Sequence, residues 1–192
     1  MNAAAFYSRY EDIQLTLATS SPIGVIVVTG NAGRAAVDGL ELDLAAAVSE
    51  RLTLVINLGY LDNEYRDLEQ GASVSPSARL PVSPRWTFSA GLEHTLPLAS
   101  SARLRTHIDY SYTSRYNYFF DNAPLSWQSG FALWNARLTF EPNASWHAAA
   151  YLLNATDRRH SSFREDILTS AGTAIVWPAK PREWGVELEF RW

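Results

Sequence analysis

Arg103–Thr113, RLRTHIDYSYT, changes character at every residue. Its odd positions are Arg103, Arg105, His107, Asp109, Ser111 and Thr113, all polar, and its even positions Leu104, Thr106, Ile108, Tyr110 and Tyr112 are almost wholly apolar. Successive side chains of a strand point to opposite sides, so this stretch predicts a strand with a different solvent on each face. The last stretch, EWGVELEFRW at Glu183–Trp192, repeats the pattern: Trp184, Val186, Leu188, Phe190 and Trp192 alternate with Gly185, Glu187, Glu189 and Arg191. Working outward, the same phase recurs in Leu40, Leu42, Leu44, Ala46 and Val48, then in Leu52, Leu54, Ile56, Leu58 and Tyr60. It recurs again in Trp86, Phe88, Ala90 and Leu92, and in Trp134, Ala136, Leu138 and Phe140. Strands of about nine to twelve residues are expected, the reach of a tilted membrane-crossing strand and longer than the usual ~5–6.

The connections alternate as well. Short ones are expected near Ser49-Glu50, at Ala99-Ser100-Ser101 and at Pro142-Asn143-Ala144, where Pro then Asn suits a tight turn. Long ones fall at residues 19–33, 62–84, 114–130 and 155–182. Short turns on one side and long loops on the other are what outer-membrane barrels show. The fold class expected is therefore all-β: about eight antiparallel transmembrane strands in an up-and-down meander, the first around Phe6–Leu17, with both chain ends on the short-turn side. The apolar run Ile23–Val28 keeps no assigned place in this scheme, nor does the segment 19–33 around it.

Composition narrows the function classes. The 192 residues hold 7 Trp, 9 Tyr and 8 Phe but one Met and a single lysine, Lys180, so the aromatic load needs an explanation by position. Trp86 and Trp184 open strands at the long-loop side, whereas Phe140, Trp146, Phe190 and Trp192 fall at the short-turn side. Rings at both strand ends match the two interfacial girdles of a membrane barrel. A soluble barrel with aromatic interior is the competing fold, but it would want shorter strands and more even loops. The net charge of −4 supplies no basic stripe, which removes nucleic acid as a partner. Absence of cysteine removes disulfides, thiolate catalysis and thiolate metal sites. No window holds the ~18 consecutive apolar residues of a spanning helix. MNAAAFYSRYEDI has neither the basic region nor the apolar core of a signal peptide, and the chain is expected to be a fragment of a longer protein.

Little in the chain suggests chemistry, and neither an enzyme nor a cofactor or metal site is expected. His107, Asp109 and Ser111 share one strand face, but neighbours two apart are not arranged nucleophile to base to orienter. There is no phosphate-cradling Gly-rich loop with a lysine and no His pair at zinc-ligand helical spacing. Glu165-Asp166 and Asp121 are isolated loop carboxylates. The loop rings Tyr116, Tyr118, Phe119, Phe120 and Trp127 are candidates to contact a ligand at the cell surface, or else belong to the upper girdle. Arg158 and Arg159, within Asp157-Arg158-Arg159-His160, are candidates to grip an anion through their planar forks, or else solvated loop charge.

VDGLELDL (Val37–Leu44), LTLVINLGYLDNEYRDL (Leu52–Leu68), PRWTFSAGLEH (Pro84–His94) and DYSYTSRYNYFFDN (Asp109–Asn122) can then be taken together. With LWNARLTF (Leu133–Phe140), LLNATD (Leu152–Asp157) and PREWGVELEFRW (Pro181–Trp192), their order and spacing resemble the final strands of TonB-dependent outer-membrane receptors over nearly the whole chain. The terminal segment also resembles the signal read by the barrel assembly machinery: Glu183, Gly185, Leu188, Phe190 and an aromatic end, Trp192 where Phe is commoner. Ala155 stands where Leu is usual before Thr-Asp. The resemblance implies residence in the outer membrane of a Gram-negative bacterium, contact with its lipid, and transport of a scarce nutrient such as an iron chelate or other small organic ligand. It also implies that residues 1–192 are the C-terminal part of a barrel of about twenty-two strands. The plug domain and the TonB contact would be met only through N-terminal parts that this sequence does not contain. The alternative is a complete small eight-stranded outer-membrane barrel, a structural protein, adhesin or narrow pore, filled by side chains such as Glu41, Asp43, Arg103, Arg105 and Asp109.

Overall fold

The computed structural model describes residues 1–22, 24–31, 33–68, 74–75, 77–98, 101–120 and 122–191. Among them the chain forms β1 (Asn2–Tyr10), β2 (Gln14–Ser21), β3 (Gly24–Asn31), β4 (Gly33–Ser49), β5 (Leu52–Leu68), β6 (Trp86–Pro97) and β7 (Arg103–Thr113). They are followed by β8 (Tyr116–Asn117), a 3-10 turn at Pro124–Ser126, β9 (Trp127–Gln128), β10 (Phe131–Glu141), β11 (Trp146–Leu153), β12 (Ser161–Ile167), α1 (Leu168–Ala171), β13 (Thr173–Pro178) and β14 (Glu183–Phe190). Eight of these strands make one sheet in the order β1-β4-β5-β6-β7-β10-β11-β14. Every ladder in it is antiparallel, which is the meander that the alternation predicts. The remaining strands pair two by two, β2 with β3, β8 with β9 and β12 with β13, inside the long connections.

Directly opposed residues of an antiparallel pair lie on the same face, so the register tests whether the separate alternations agree. They do. Leu42 faces Leu58, Leu58 faces Phe88, and Phe88 faces Tyr112; Tyr112 faces Ala132 on β10. Further on, Leu138 faces Ala150 and Ala150 faces Val186. One apolar face thus runs unbroken across the sheet apart from the opposed pair His94 and Thr106. Leu40, Trp134, Val186 and Leu188 on this face are exposed, Val186 at 78%. The opposite face carries Glu41, Asp43, Asn57, Glu93, Arg105, Asp109, Arg137, Glu187 and Glu189. A face so apolar and so exposed exceeds what a water-facing surface of a monomer ordinarily presents.

Aromatic rings end that face at both levels. On the long-loop side Tyr60 meets Trp86 at 4.6 Å and Tyr110 meets Trp134 at 4.6 Å, with Trp184 at the head of β14. On the short-turn side Phe140 lies 6.1 Å from Trp146, which is opposed to Phe190. Short connections follow the sequence reading: Ser145 N–H donates to Asn143 Oδ1 at 2.8 Å, the side-chain turn that Asn favours. Ala99 and Ser100 of the expected turn lie outside the described residues; its base is closed by Leu98 N–H on Ala102 C=O at 2.9 Å.

Two elements differ from expectation. The first strand was expected over Phe6–Leu17, but β1 stops at Tyr10 and the chain turns at Asp12, whose φ is +54°. Asp tolerates that left-handed conformation, so the chain leaves the wall and restarts as the β2–β3 hairpin. Most of the unplaced run Ile23–Val28 falls in β3; Ile23 itself lies outside the described residues. Secondly, β4 and β5 each run for 17 residues, beyond the nine to twelve that spanning requires. Their extra length rises past the apolar band and is covered on the polar face: Ala35 and Tyr65 pack with Val74 and Ala78, flanked by Ile13, Leu68, Leu80 and Phe120. The buried core therefore sits above the apolar band.

Candidate functional site

The four long connections all emerge on one side of the sheet, and three of them knit into one layer. In the β7–β10 connection, Tyr118 is 9% exposed, and its hydroxyl donates to the Ser161 carbonyl at 2.7 Å, reaching 43 residues along the chain. Burial and the hydrogen bond with Tyr116, at 3.0 Å, push the Tyr118 phenol well above its ordinary range, so it stays a neutral donor. Ser161 N–H donates to Gln128 Oε1 at 2.9 Å. Ser126, fully buried, accepts from Asp166 N–H at 3.0 Å, while Asp166 Oδ2 accepts from Leu125 N–H at 3.1 Å. The β5–β6 connection joins from the other side through Val82 N–H on Asn117 C=O at 2.8 Å and Ser75 N–H on Phe120 C=O at 3.3 Å.

Rings fill this layer. Phe163 lies 5.8 Å from both Tyr118 and Phe119 and 5.0 Å from Trp177, which is 60% exposed. Tyr116, Tyr118 and Phe119 are thus brought together, and the hairpin β12–β13 contributes Phe163 and Trp177, which sequence reasoning did not single out. The sequence signal for this hairpin is weak: Arg164, Glu165 and Asp166 are charged in succession and give no alternation, and the turn is marked by Gly172, at φ +67°. Phe120 packs instead against the Ala35–Tyr65 cluster. Trp127 lies under the Arg115 guanidinium at 4.0 Å, and its carbonyl accepts from Arg164 Nη1 at 3.0 Å.

The two candidate arginines part company. Arg158 is committed: Nη2 donates to Gly130 C=O at 3.0 Å and its N–H to Asn154 Oδ1 at 2.8 Å. Arg159 keeps its side chain 81% exposed, and its one ion-pair partner among the described residues is Asp157, at 3.5 Å. Asp157 in turn accepts from Arg182 N–H at 3.0 Å, which ties the start of this loop to its end.

Below the loops, the polar face holds a transverse row of ion pairs. Glu141 accepts from Arg103 and, at 2.7 Å, from Arg105; Arg137 pairs with Glu187. His107 Nε2 lies 2.9 Å from Asp109 Oδ1, and no hydrogen bond among the described residues joins Ser111 to either. Of the terminal-segment residues, Glu183, Gly185, Leu188 and Phe190 all lie in β14, and Trp192 lies outside the described residues. Gly185 has a packing reason of its own. It opposes Tyr151, whose ring lies across it so closely that a Cβ would stand 2.5 Å from the hydroxyl. Phe6 lies over Gly39 in the same way at the other edge.

Comparison with known proteins gives a consistent result. The profile of the family described as TonB dependent receptor-like, beta-barrel matches residues 1–155. Among solved structures, the ferric yersiniabactin uptake receptor of Yersinia pestis superposes with a TM-score of 0.80 at 20% identity, over 97% of this chain and 26% of that one. The siderophore receptor of Acinetobacter baumannii gives 0.71 at 17%, over 97% and 25%. The ferric-catecholate import receptor of E. coli K12 gives 0.67 at 15%, over 97% and 24%. The chain spans about a quarter of the length of these receptors, and at such identities the likeness is one of fold.

Proposed function

This chain belongs to the TonB-dependent receptor β-barrel family, and from that premise we propose that it forms an arc of the wall of an outer-membrane importer together with part of its ligand-capturing rim. The carrying observation is the agreement of eight alternations into one apolar and one charged face, topped on one side only by long loops that knit together. In this reading the apolar face meets the lipid of a Gram-negative outer membrane, and the ion-paired face looks into the lumen. The chain acts by binding and enclosing, not by catalysis. The barrel assembly machinery inserts it, reading Glu183, Gly185, Leu188, Phe190 and Trp192. A plug domain and TonB act on it through other parts of a full receptor, of which residues 1–192 are the C-terminal barrel portion.

The ligand is a scarce nutrient, an iron chelate or other small organic molecule, met by Tyr116, Tyr118, Phe119, Phe120, Trp127, Arg158 and Arg159. Among these, Arg159 is exposed and Tyr116 is half-buried with its hydroxyl bonded to Tyr118, so both can touch a ligand, whereas Tyr118, Phe120 and Arg158 hold the loops in shape. The test is uptake of a panel of radiolabelled ferric chelates by cells carrying the wild type or Arg159→Ala with Tyr116→Ala, at equal surface amounts. Loss of a charge-assisted contact lowers binding about tenfold, so uptake of one chelate class should fall by that order. Unchanged uptake of every chelate would remove these loops from the ligand's path. The small closed barrel is less well supported, because β1 and β14 are the two edges of the sheet and no ladder among the described residues joins them.

A further inference from the structure

The outer rim of β1, β4 and β5 holds a cavity of about 280 Å³ whose walls include Tyr7, Arg9, Arg34 and Arg66. Register decides which solvent it faces. Ala5, Leu40 and Tyr60 are consecutive cross-strand partners on the apolar face, at the level of the upper aromatic girdle. Two residues farther out, Tyr7, Asp38 and Asp62 are partners, and two farther still Arg9, Ala36 and Glu64. The face that is apolar up to Leu40 therefore turns polar within one step on three adjacent strands, with Asp38 and Asp62 at that step and Arg9 and Glu64 at the next. That step marks where hydrocarbon gives way to headgroups.

We propose that this cavity binds the phosphomonoester of a lipid headgroup in the leaflet beside the long loops, a proposal that rests on reading the apolar face as lipid-facing. The Arg9 guanidinium donates through Nε to Tyr7 Oη at 2.9 Å and meets no carboxylate at ion-pair distance among the described residues. That leaves its remaining fork for an oxyanion. Arg34 pairs with Asp67 at 2.5 Å and Arg66 with Glu64 at 2.6 Å, but all four side chains are more than half exposed. Pairs so exposed hold by at most about 1 kcal/mol, and a phosphate presenting three acceptor oxygens to planar forks competes with them. Ala36, 3% exposed, is the floor, too small to fill the space above it. Glu11 and Asp67 also line the cavity, so the phosphate is seated on the Arg9 side and draws Arg34 away from Asp67. The apolar surface one row below Tyr7, Asp38 and Asp62, formed by Ala5, Leu40 and Tyr60, gives the acyl chains of the same molecule their contact, which free phosphate lacks.

The test uses the protein extracted from native membranes into mild detergent and moved into phosphatidylcholine nanodiscs doped with phosphatidic acid. Retention of phosphatidic acid through washing is compared for the wild type, for Arg9→Gln with Arg66→Gln, and for Arg51→Gln at the opposite end of β5. The rim double variant should retain about tenfold less, the Arg51 variant as much as wild type, and neither should change phosphatidylcholine retention. Arg9→Lys with Arg66→Lys, which keeps charge and loses the fork, should fall between. Equal retention by all proteins would overturn the proposal, as would displacement of the lipid by inorganic phosphate at millimolar concentration, which would assign the cavity to a soluble anion. A spin label at residue 188 separates the two ways to fail. Lipid-phase quenching there with unaltered phosphatidic acid retention sinks the headgroup site alone, and no quenching sinks the lipid-facing assignment beneath it.

Discussion

A single residue of the wall is judged by the face it is on. Leu188, 60% exposed on the apolar face and directly opposed to Ala148, has no protein neighbour that would welcome a charge. Leu188→Arg should cost about 2–4 kcal/mol, as charges near mid-membrane on lipid-facing strands do. Its neighbour Glu187 points the other way and pairs with Arg137, both sides of the pair being about half exposed. Glu187→Gln should therefore cost no more than about 1 kcal/mol. Refolding equilibria in urea with lipid vesicles measure both. Spin labels at the two positions check the cause, since lipid-phase quenching stronger at 187 than at 188 would invert the faces. Both assignments were legible in the period-two pattern alone. The role of Gly185 was not: sequence marks it only as part of a terminal motif, and the ring of Tyr151 lying across it is a fact of cross-strand register.

At the scale of an element, the loops are held differently from the strands. The β11–β14 connection is latched at its two ends by Asp157, which accepts the Arg182 N–H and has Arg159 nearby. That backbone hydrogen bond, helped by the arginines, holds the Asp157 carboxyl below its ordinary value near 3.8. A carboxyl whose folded pKa is depressed lends stability that is complete above the unfolded value and is lost as pH falls through the lower, folded one. The latch should therefore be intact at pH 6, begin to loosen as pH drops below about 4, and open below that. Amide hydrogen exchange at Arg182, corrected for the intrinsic pH effect, should accelerate over that window in the wild type. In Asp157→Asn it should show no such step. The hairpin β12–β13 inside this connection hides in the 29 residues between β11 and β14, because Arg164, Glu165 and Asp166 are charged in succession and Ala174 to Trp177 are all apolar, so neither strand alternates. The extensions of β4 and β5 hide for a related reason. Once the outer positions turn polar at Asp38 and Asp62, a strand above the membrane alternates less clearly than one within it.

For the molecule as a whole, the decisive feature is that the sheet has two edges, β1 and β14. Backbone N–H and C=O groups left unpaired in hydrocarbon cost several kcal/mol each, so edges of this length must find partners. Refolded alone in detergent, residues 1–192 should give a mixture of associated species that proteases degrade and that shows no heat-modifiable shift on gels. A monodisperse, protease-resistant monomer would instead mean that β1 closes on β14 and would favour the small eight-stranded barrel. What the sequence by itself determined is the eight-stranded meander of the wall, the sidedness of the loops, the two girdles and which side chains share a face. These follow from local alternation, which a strand reads out two residues at a time. Only the tertiary structure decided that eight separate alternations share one phase, that Tyr118 reaches Ser161, and that Arg9, Arg66 and Ala36 line one cavity. Those are contacts between residues tens of positions apart, set by register and loop packing, and no local pattern encodes which distant partner a side chain will meet.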